Sequence, residues 1–277
     1  MKQACVIGWP ITHSRSPLIH GCWLKQLGID GAYTKVAVEP ADIDRFLASL
    51  GTRGLVGCNV TIPHKEAAFA AASHREPSAI AVGAANTLWL EGETLCAANT
   101  DTYGYMTHLT ASAPQWRNRD APIAILGAGG AARAICYGFL EAGVAHVRVF
   151  NRTLDRAEAL VADFGPHVSA HAWDQRTALS RDAAVVVNTT ALGLKDQGDI
   201  GIDFSGFHAD CIVSDIVYVP LETAFLRAAR NHGLNTVDGL GMLLHQAVPG
   251  FERWFGVRPE VTPELHALIA ADIAAGT

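Results

Sequence analysis

At 277 residues the chain has room for two modest domains, taking about 150 residues per domain as a prior. A hydrophobic share of 49% with 17% charged residues describes a globular protein with a well-filled interior, and a net charge of −6 gives no electrostatic case for nucleic acid or an anionic membrane. No apolar run approaches the roughly 20 residues of a spanning helix, the opening residues 1–8 hold too few apolar residues for a signal peptide, and the six scattered cysteines contain no Cys-x-x-Cys, so a reducing cytoplasm without structural metal or disulfides is expected.

The front half alternates short apolar strands with amphipathic segments. Residues 5–8 read as a strand, 16–27 as a helix ended by Gly28, 32–38 as a strand and 41–50 as a helix. A strand over 55–61 and a helix over 65–72 follow, which is α/β order with a largely parallel sheet. Residues 85–90 and 94–98 flank Glu91-Gly92-Glu93 as a hairpin. After a helical bridge and a polar, Pro-bearing segment over 113–122, a second series of strands is expected at 123–126, 147–150, 168–170, 184–188, 212–216 and 236–237. Six strands with intervening helices match a doubly wound Rossmann domain. The tail reads as two helices, 242–254 and 263–275.

Gly127-Ala128-Gly129-Gly130-Ala131-Ala132 follows the strand over 123–126 and opens an Ala-rich helix, the setting the G-x-G-x-x-G/A dinucleotide fingerprint requires. Gly127 and Gly129 permit the tight turn and close backbone approach to a pyrophosphate, and the helix from near Gly130 offers that anion unpaired N–H groups. At the end of the second strand, where an NAD site places an acid, the chain has Asn151-Arg152-Thr153 and then Arg156. Thr153 can cap the next helix. The two arginines suit a 2′-phosphate and favour NADP, although solvated arginines are also common at helix starts.

Four polar clusters sit at strand ends, where α/β domains hold ligands: His13-Ser14-Arg15-Ser16-Pro17, Asn59-Val60-Thr61-Ile62-Pro63-His64-Lys65, Ala85-Asn86-Thr87 and Asn99-Thr100-Asp101. Each has a plain structural explanation as well. Ser14 or Ser16 could cap the helix that Pro17 opens, and Asn86 and Asn99 could be turn residues. Lys65 fits that explanation least, because the helix dipole disfavours a cation in the first turn. Together the clusters suit a small polyhydroxylated acid.

These motifs, with Gly83-Ala84-Ala85-Asn86-Thr87, Asn188-Thr189-Thr190, residues 215–220 and Asp238-Gly239-Leu240-Gly241-Met242, run almost end to end and resemble the shikimate/quinate dehydrogenase family. The resemblance implies an N-terminal α/β substrate domain formed by residues 1–104 and 240–277, the C-terminal helices returning to it, and a Rossmann NADP-binding domain over 105–239. It implies Lys65 and Asp101 as the catalytic pair, with Ser14, Ser16, Thr61, Asn86, Tyr218 and Gln246 on the substrate. On the cofactor it implies Gly127, Gly129, Gly130, Ala131, Asn151, Arg152, Thr153, Arg156 and Thr189, with Gly241 and Met242 near the nicotinamide. The reaction implied is the NADP-dependent interconversion of shikimate and 3-dehydroshikimate, by a cytoplasmic monomer or homodimer with no metal and no nucleic-acid or membrane partner. The chain departs from the family pattern at His64 in place of Phe, Gly21 in place of Asn, Thr102 in place of Gly and Ala191 in place of Ser; His64 is expected to be an exposed bystander. Two other readings stand beside this one. One is an NAD-dependent quinate/shikimate dehydrogenase, against which Arg152 and Arg156 speak. The other is a non-catalytic NADPH-binding sensor, against which the retention of Lys65 and Asp101 speaks.

Overall fold

The computed structural model describes residues 1–276 and divides them into two compact units. The first comprises Met1–Gly104 and Leu244–Ile269, the second Tyr105–Leu243 with the residues after Ile269.

The first unit carries strands β1 (Lys2–Gly8), β2 (Gly31–Ala37), β3 (Leu55–Val60), β4 (His74–Arg75), β5 (Thr87–Glu91) and β6 (Thr94–Ala98) in the order β2-β1-β3-β5-β6-β4. The sheet is mixed rather than largely parallel. β1 runs parallel to β2 and β3, but β5 is antiparallel to both β3 and β6, the second of these pairings being made by the tight turn at Gly92 (φ +62°), which reverses the chain at once. Helices α1 (Ser16–Gln26), α2 (Ile43–Ala48), α3 (Lys65–Ala71) and α4 (Pro77–Val82) connect the strands. The expected helix over 41–50 is shorter, a 3₁₀ turn at Pro40–Asp42 leading into α2.

One face of this sheet buries Cys5, Ile7, Cys58 and Leu88 against Phe46, Leu47 and Ala68 of α2 and α3. On α1 and in the C-terminal return, His20, Trp23, Phe251 and Trp254 form an aromatic cluster with Tyr33 of β2. Gly57 in β3 has no room for a side chain: a Cβ there would lie 2.1 Å from Trp254 Nε1 and 2.2 Å from the Leu88 carbonyl oxygen.

Helix α5 (Asp101–Ser112) carries the chain out of the first unit. The second unit holds β7 (Ile123–Leu126), α6 (Gly130–Glu141), β8 (Val147–Asn151), α7 (Leu154–Phe164), β9 (Val168–Ala172), β10 (Val185–Asn188), β11 (Ile212–Asp215), α8 (Ala224–Asn231) and β12 (Asn235–Val237). All six strands are parallel, in the order β12-β11-β10-β7-β8-β9. This is the doubly wound arrangement of a Rossmann domain, with the reversal in strand order between β7 and β10. Alternation along β7 sends Ile123 and Ile125 into the core with Ile135 and Phe139 of α6, and Ala124 and Leu126 into the core with Phe225 and Leu226 of α8. Both faces are covered at the centre of the sheet, so β7 is apolar throughout and β10 up to Asn188, while the edge strands β9 and β12 are only partly buried.

The expected single helix over 242–254 is two helices, α9 (Leu240–His245) and α10 (Ala247–Phe255), followed by α11 (Pro263–Ala275). Pro249 lacks the N–H that would bond back to residue 245, so a continuous ladder cannot form across Gln246. Among the described residues, no helix is long and apolar enough to cross a membrane.

Candidate active site

Lys65 and Asp101 are 36 residues apart in sequence and meet at the C-terminal end of the first sheet: Lys65 Nζ donates to Asp101 Oδ2 over 2.7 Å. Each owes its place to a helix start. Lys65 is the first residue of α3, immediately after the turn that follows β3, and Asp101 is the first residue of α5, after β6. The dipole at the start of α5 favours the carboxylate, while that at the start of α3 opposes the lysine cation, which Asp101 offsets. Both are largely shielded, with 30% of the Lys65 side chain and 15% of the Asp101 side chain exposed.

Asn86 completes the group. Its Nδ2 donates to Asp101 Oδ1 over 2.8 Å, so the two carboxylate oxygens are held by different partners. The Asp101 backbone N–H donates to Asn99 Oδ1, and the Asn99 side chain in turn donates to the Ala84 carbonyl. Asn86 and Asn99 do stand in the connections before β5 and α5, but they are buried and their side chains are engaged there.

Ser14 stands in the turn before α1 and Ser16 is the first residue of that helix; Ser14 Oγ donates to Ser16 Oγ and accepts the Ser16 N–H, each over 3.3 Å, while the N-cap residue, Arg15, makes no capping hydrogen bond through its side chain. Thr61 follows β3 directly, its N–H bonded to the Ile7 carbonyl. Gln246 lies in the first unit at the break between α9 and α10, whereas Tyr218 lies in the second unit after β11.

His64 is not an exposed bystander. It is 2% exposed, and its Nε2 makes a 2.7 Å hydrogen bond with the Val38 carbonyl, which sets that nitrogen as the N–H of the ring. The residue before Lys65 is therefore tied to the end of β2. The sequence shows only a polar residue in a polar motif, and its burial depends on where β2 ends.

In the second unit the expected cofactor residues gather around the end of β7. Gly127 adopts φ +111°, and a Cβ there would meet Thr189 Oγ1 at 2.7 Å, so only glycine serves at this turn. At Gly129 and Gly130 a Cβ would point into open space. Helix α6 begins at Gly130 without a side-chain cap, leaving its first amides for an anion. A crevice is lined by Gly127, Gly129, Asn151, Arg152, Thr189 and Trp173. These features fit a dinucleotide: glycine backbone for the pyrophosphate, and the exposed Arg152 and Arg156 for a 2′-phosphate.

Thr153 stands at the N-cap of α7 but makes no capping hydrogen bond, so the expected cap is absent; the Asn151 side chain donates to its carbonyl instead. Ala131 is in the first turn of α6. Gly241 lies against His108 of α5, close enough that a Cβ would collide with the imidazole, and Met242 packs on the core of the second unit. Trp173 was not anticipated. An aromatic residue directly after the third strand of the Rossmann series was the available signal.

Beside this geometry stand three family models. That of the shikimate dehydrogenase substrate binding domain matches residues 6–88, that of shikimate / quinate 5-dehydrogenase residues 110–193, and that of the shikimate 5'-dehydrogenase C-terminal domain residues 239–263. A relative from Brucella canis, named shikimate dehydrogenase (NADP(+)), is 57% identical over 99% of this chain and 95% of its own.

The chain belongs to the shikimate/quinate dehydrogenase family.

A second relative with the same name, from Azorhizobium caulinodans, is 53% identical over 99% of this chain and 98% of its own. Among solved structures of the family, shikimate 5-dehydrogenase from Thermus thermophilus in complex with NADP(H) and shikimate matches with a TM-score of 0.87 at 34% identity, covering 99% of this chain and 100% of that one. Quinate dehydrogenase from Corynebacterium glutamicum in complex with NAD matches with a TM-score of 0.88 at 27% identity, over 98% and 99%.

Proposed function

We propose that this protein is an NADP-dependent shikimate dehydrogenase, interconverting shikimate and 3-dehydroshikimate. The observation that carries the reaction is the shielded Lys65–Asp101 pair with Asn86 on the second carboxylate oxygen. The identity to NADP-dependent relatives over nearly the whole chain supports substrate and cofactor.

Reducing a ketone needs a hydride at carbon and a proton at oxygen. The hydride comes from NADPH when that cofactor is bound. Lys65 Nζ gives its proton to the carbonyl oxygen as negative charge builds there, and in the reverse direction it takes the hydroxyl proton. Asp101 orients the lysine and leaves the substrate hydroxyls a carboxylate acceptor. Ser14, Ser16, Thr61, Asn86, Tyr218 and Gln246 hold the carboxylate and remaining hydroxyls. Residues 1–104 and 240–277 serve as the substrate domain and 105–239 as the cofactor domain. In the latter, Gly127, Gly129, Gly130 and Ala131 take the pyrophosphate, while Asn151, Arg152, Thr153 and Arg156 take the adenosine end. Thr189, Gly241 and Met242 serve the nicotinamide side. The setting is the cytoplasm, and the active species a monomer or homodimer.

Quinate carries an extra hydroxyl on the carboxylate-bearing carbon, and the hydroxyl side chains at both Ser16 and Thr61 favour shikimate. Initial rates with shikimate and quinate, each with NADP and NAD, test the reading. The highest kcat/KM is expected for shikimate with NADP. A higher value for quinate with NAD would replace it, and nucleotide binding without turnover of either acid would favour a sensor.

A further inference from the structure

Behind the Lys65–Asp101 pair runs a buried line of hydrogen bonds whose protons all point the same way. Tyr33 in β2 donates its phenolic proton to Asn59 Oδ1 over 2.6 Å. Burial, with smaller contributions from the Cys5 and Cys58 thiols, holds that phenol well above its ordinary range, so it stays a donor. Asn59, at the end of β3, spends both amide protons onward, on the Asn86 main-chain carbonyl and on Thr87 Oγ1, each at 3.1 Å. Because Thr87 Oγ1 accepts from Asn59, its single proton goes to Thr100 Oγ1 or to Asn86 Oδ1, both 3.1 Å away. In either arrangement a hydroxyl reaches Asn86 Oδ1, which also accepts the Thr100 backbone N–H at 2.8 Å. The backbone donor settles the orientation of the amide, so its NH₂ is the end that faces Asp101. Asn59, Asn86, Thr87 and Thr100 are all at most 6% exposed.

We propose that Tyr33 and Thr87 are positioning residues for the reaction: Tyr33 heads and Thr87 relays a one-way donor chain, Tyr33–Asn59–Thr87/Thr100–Asn86, that loads the Asn86 side-chain oxygen, Oδ1, with donors. This strengthens the hydrogen bond by which Asn86 holds Asp101 in place to orient Lys65. The physical basis is cooperativity. An amide whose oxygen accepts strongly is a better donor at its nitrogen, and in a buried chain each bond polarises the next. The proposal rests on the reading of Lys65 and Asp101 as the catalytic pair. It extends that reading by two strands, to a residue of β2.

Tyr33→Phe removes only the hydroxyl, Thr87→Val removes the hydroxyl and keeps the shape, and Thr87→Ser keeps the hydroxyl. In the full-length enzyme kcat is expected to fall about tenfold in Thr87→Val and about threefold in Tyr33→Phe, with KM for shikimate changed less than about twofold, because neither hydroxyl removed is itself a substrate contact. Thr87→Ser should recover most of the lost kcat. Wild-type kcat in both folded variants, or a Thr87→Ser enzyme as slow as Thr87→Val, would overturn the proposal. A rise in KM equal to the fall in kcat would do the same. Should Thr87→Val not fold, Tyr33→Phe decides alone. Lys65→Met measured beside them separates the two levels. Retained turnover in Lys65→Met removes the catalytic pair itself. An impaired Lys65→Met enzyme with normal Tyr33→Phe and Thr87→Val enzymes removes only the donor chain.

Discussion

At Lys65 two fields oppose each other, the unfavourable N-terminal dipole of α3 and the Asp101 carboxylate 2.7 Å away. A lysine kept in that position has a purpose other than helix stability. Lys65→Met should therefore lower kcat by roughly 100-fold or more with a smaller change in KM, since a proton donor acts on the transition state more than on substrate binding. Steady-state kinetics with shikimate would show it, and near-normal turnover would remove Lys65 from the chemistry. At the cofactor site, Arg152 is exposed and lines the same crevice as the glycine turn. Arg152→Ala should weaken NADPH about tenfold or more while leaving NADH nearly unchanged, because only NADPH offers a 2′-phosphate for a charge-assisted bond. Titration of both nucleotides measures this, and equal losses would make the arginine a structural residue.

Among the elements, the second unit was the more legible from sequence. Its central strands β7 and β10 are buried on both faces and read as short apolar runs, and its strand order follows from repeated right-handed crossovers. The first unit was harder, because the hairpin β5–β6 and the two-residue strand β4 interrupt the parallel pattern. Pro249 likewise divides a helix that hydrophobic periodicity alone would continue. The C-terminal return includes one very close approach. Helix α10 seats Trp254 against Gly57 of β3, its Nε1 donating to the Leu88 carbonyl over 2.9 Å. Gly57→Ala must displace that indole and break its hydrogen bond. We expect a loss of about 3 kcal/mol or more, since overpacking a close contact and stranding a buried donor both cost stability. Denaturant titration would show a lower midpoint, and a midpoint equal to wild type would mean that the strand shifts to make room.

Across the whole molecule, two buried titratable groups make stability depend on pH in opposite senses. His20 is fully buried, stacked 3.9 Å from the Tyr33 ring, and burial lowers its pKa from 6.5 to about 3. Neither ring nitrogen meets hydrogen-bond geometry, although the Asn59 side chain lies near enough to offset part of that shift. Between those values the unfolded chain takes a proton that the folded chain refuses, so stability falls as pH drops below 6.5, by roughly 3 kcal/mol at pH 4. In the second unit Asp215 is pushed by burial from 3.8 up to about 6, despite donors from Thr223, Val217 and Asn188. There the folded chain holds the extra proton, so its contribution falls as pH rises from about 4 to 6 and stays reduced above. His20→Phe should remove the acid-side loss in the first unit and leave the opposite trend of Asp215. Unfolding midpoints measured from pH 4 to 7 test this; an unchanged acid limb in His20→Phe would assign the loss to other groups.

The sequence by itself determined the α/β class, the dinucleotide turn and the residues of the polar motifs, because these rest on local rules: hydrophobic period, glycine conformation and the placement of ligands at strand ends. Only the tertiary structure decided which of those polar residues act together. The 2.7 Å approach of Lys65 to Asp101, the burial of His64 against Val38 and the line from Tyr33 through Asn59 and Thr87 to Asn86 each join separate elements. Strand register and helix starts bring them within hydrogen-bond reach, and no local pattern in the chain encodes those distances.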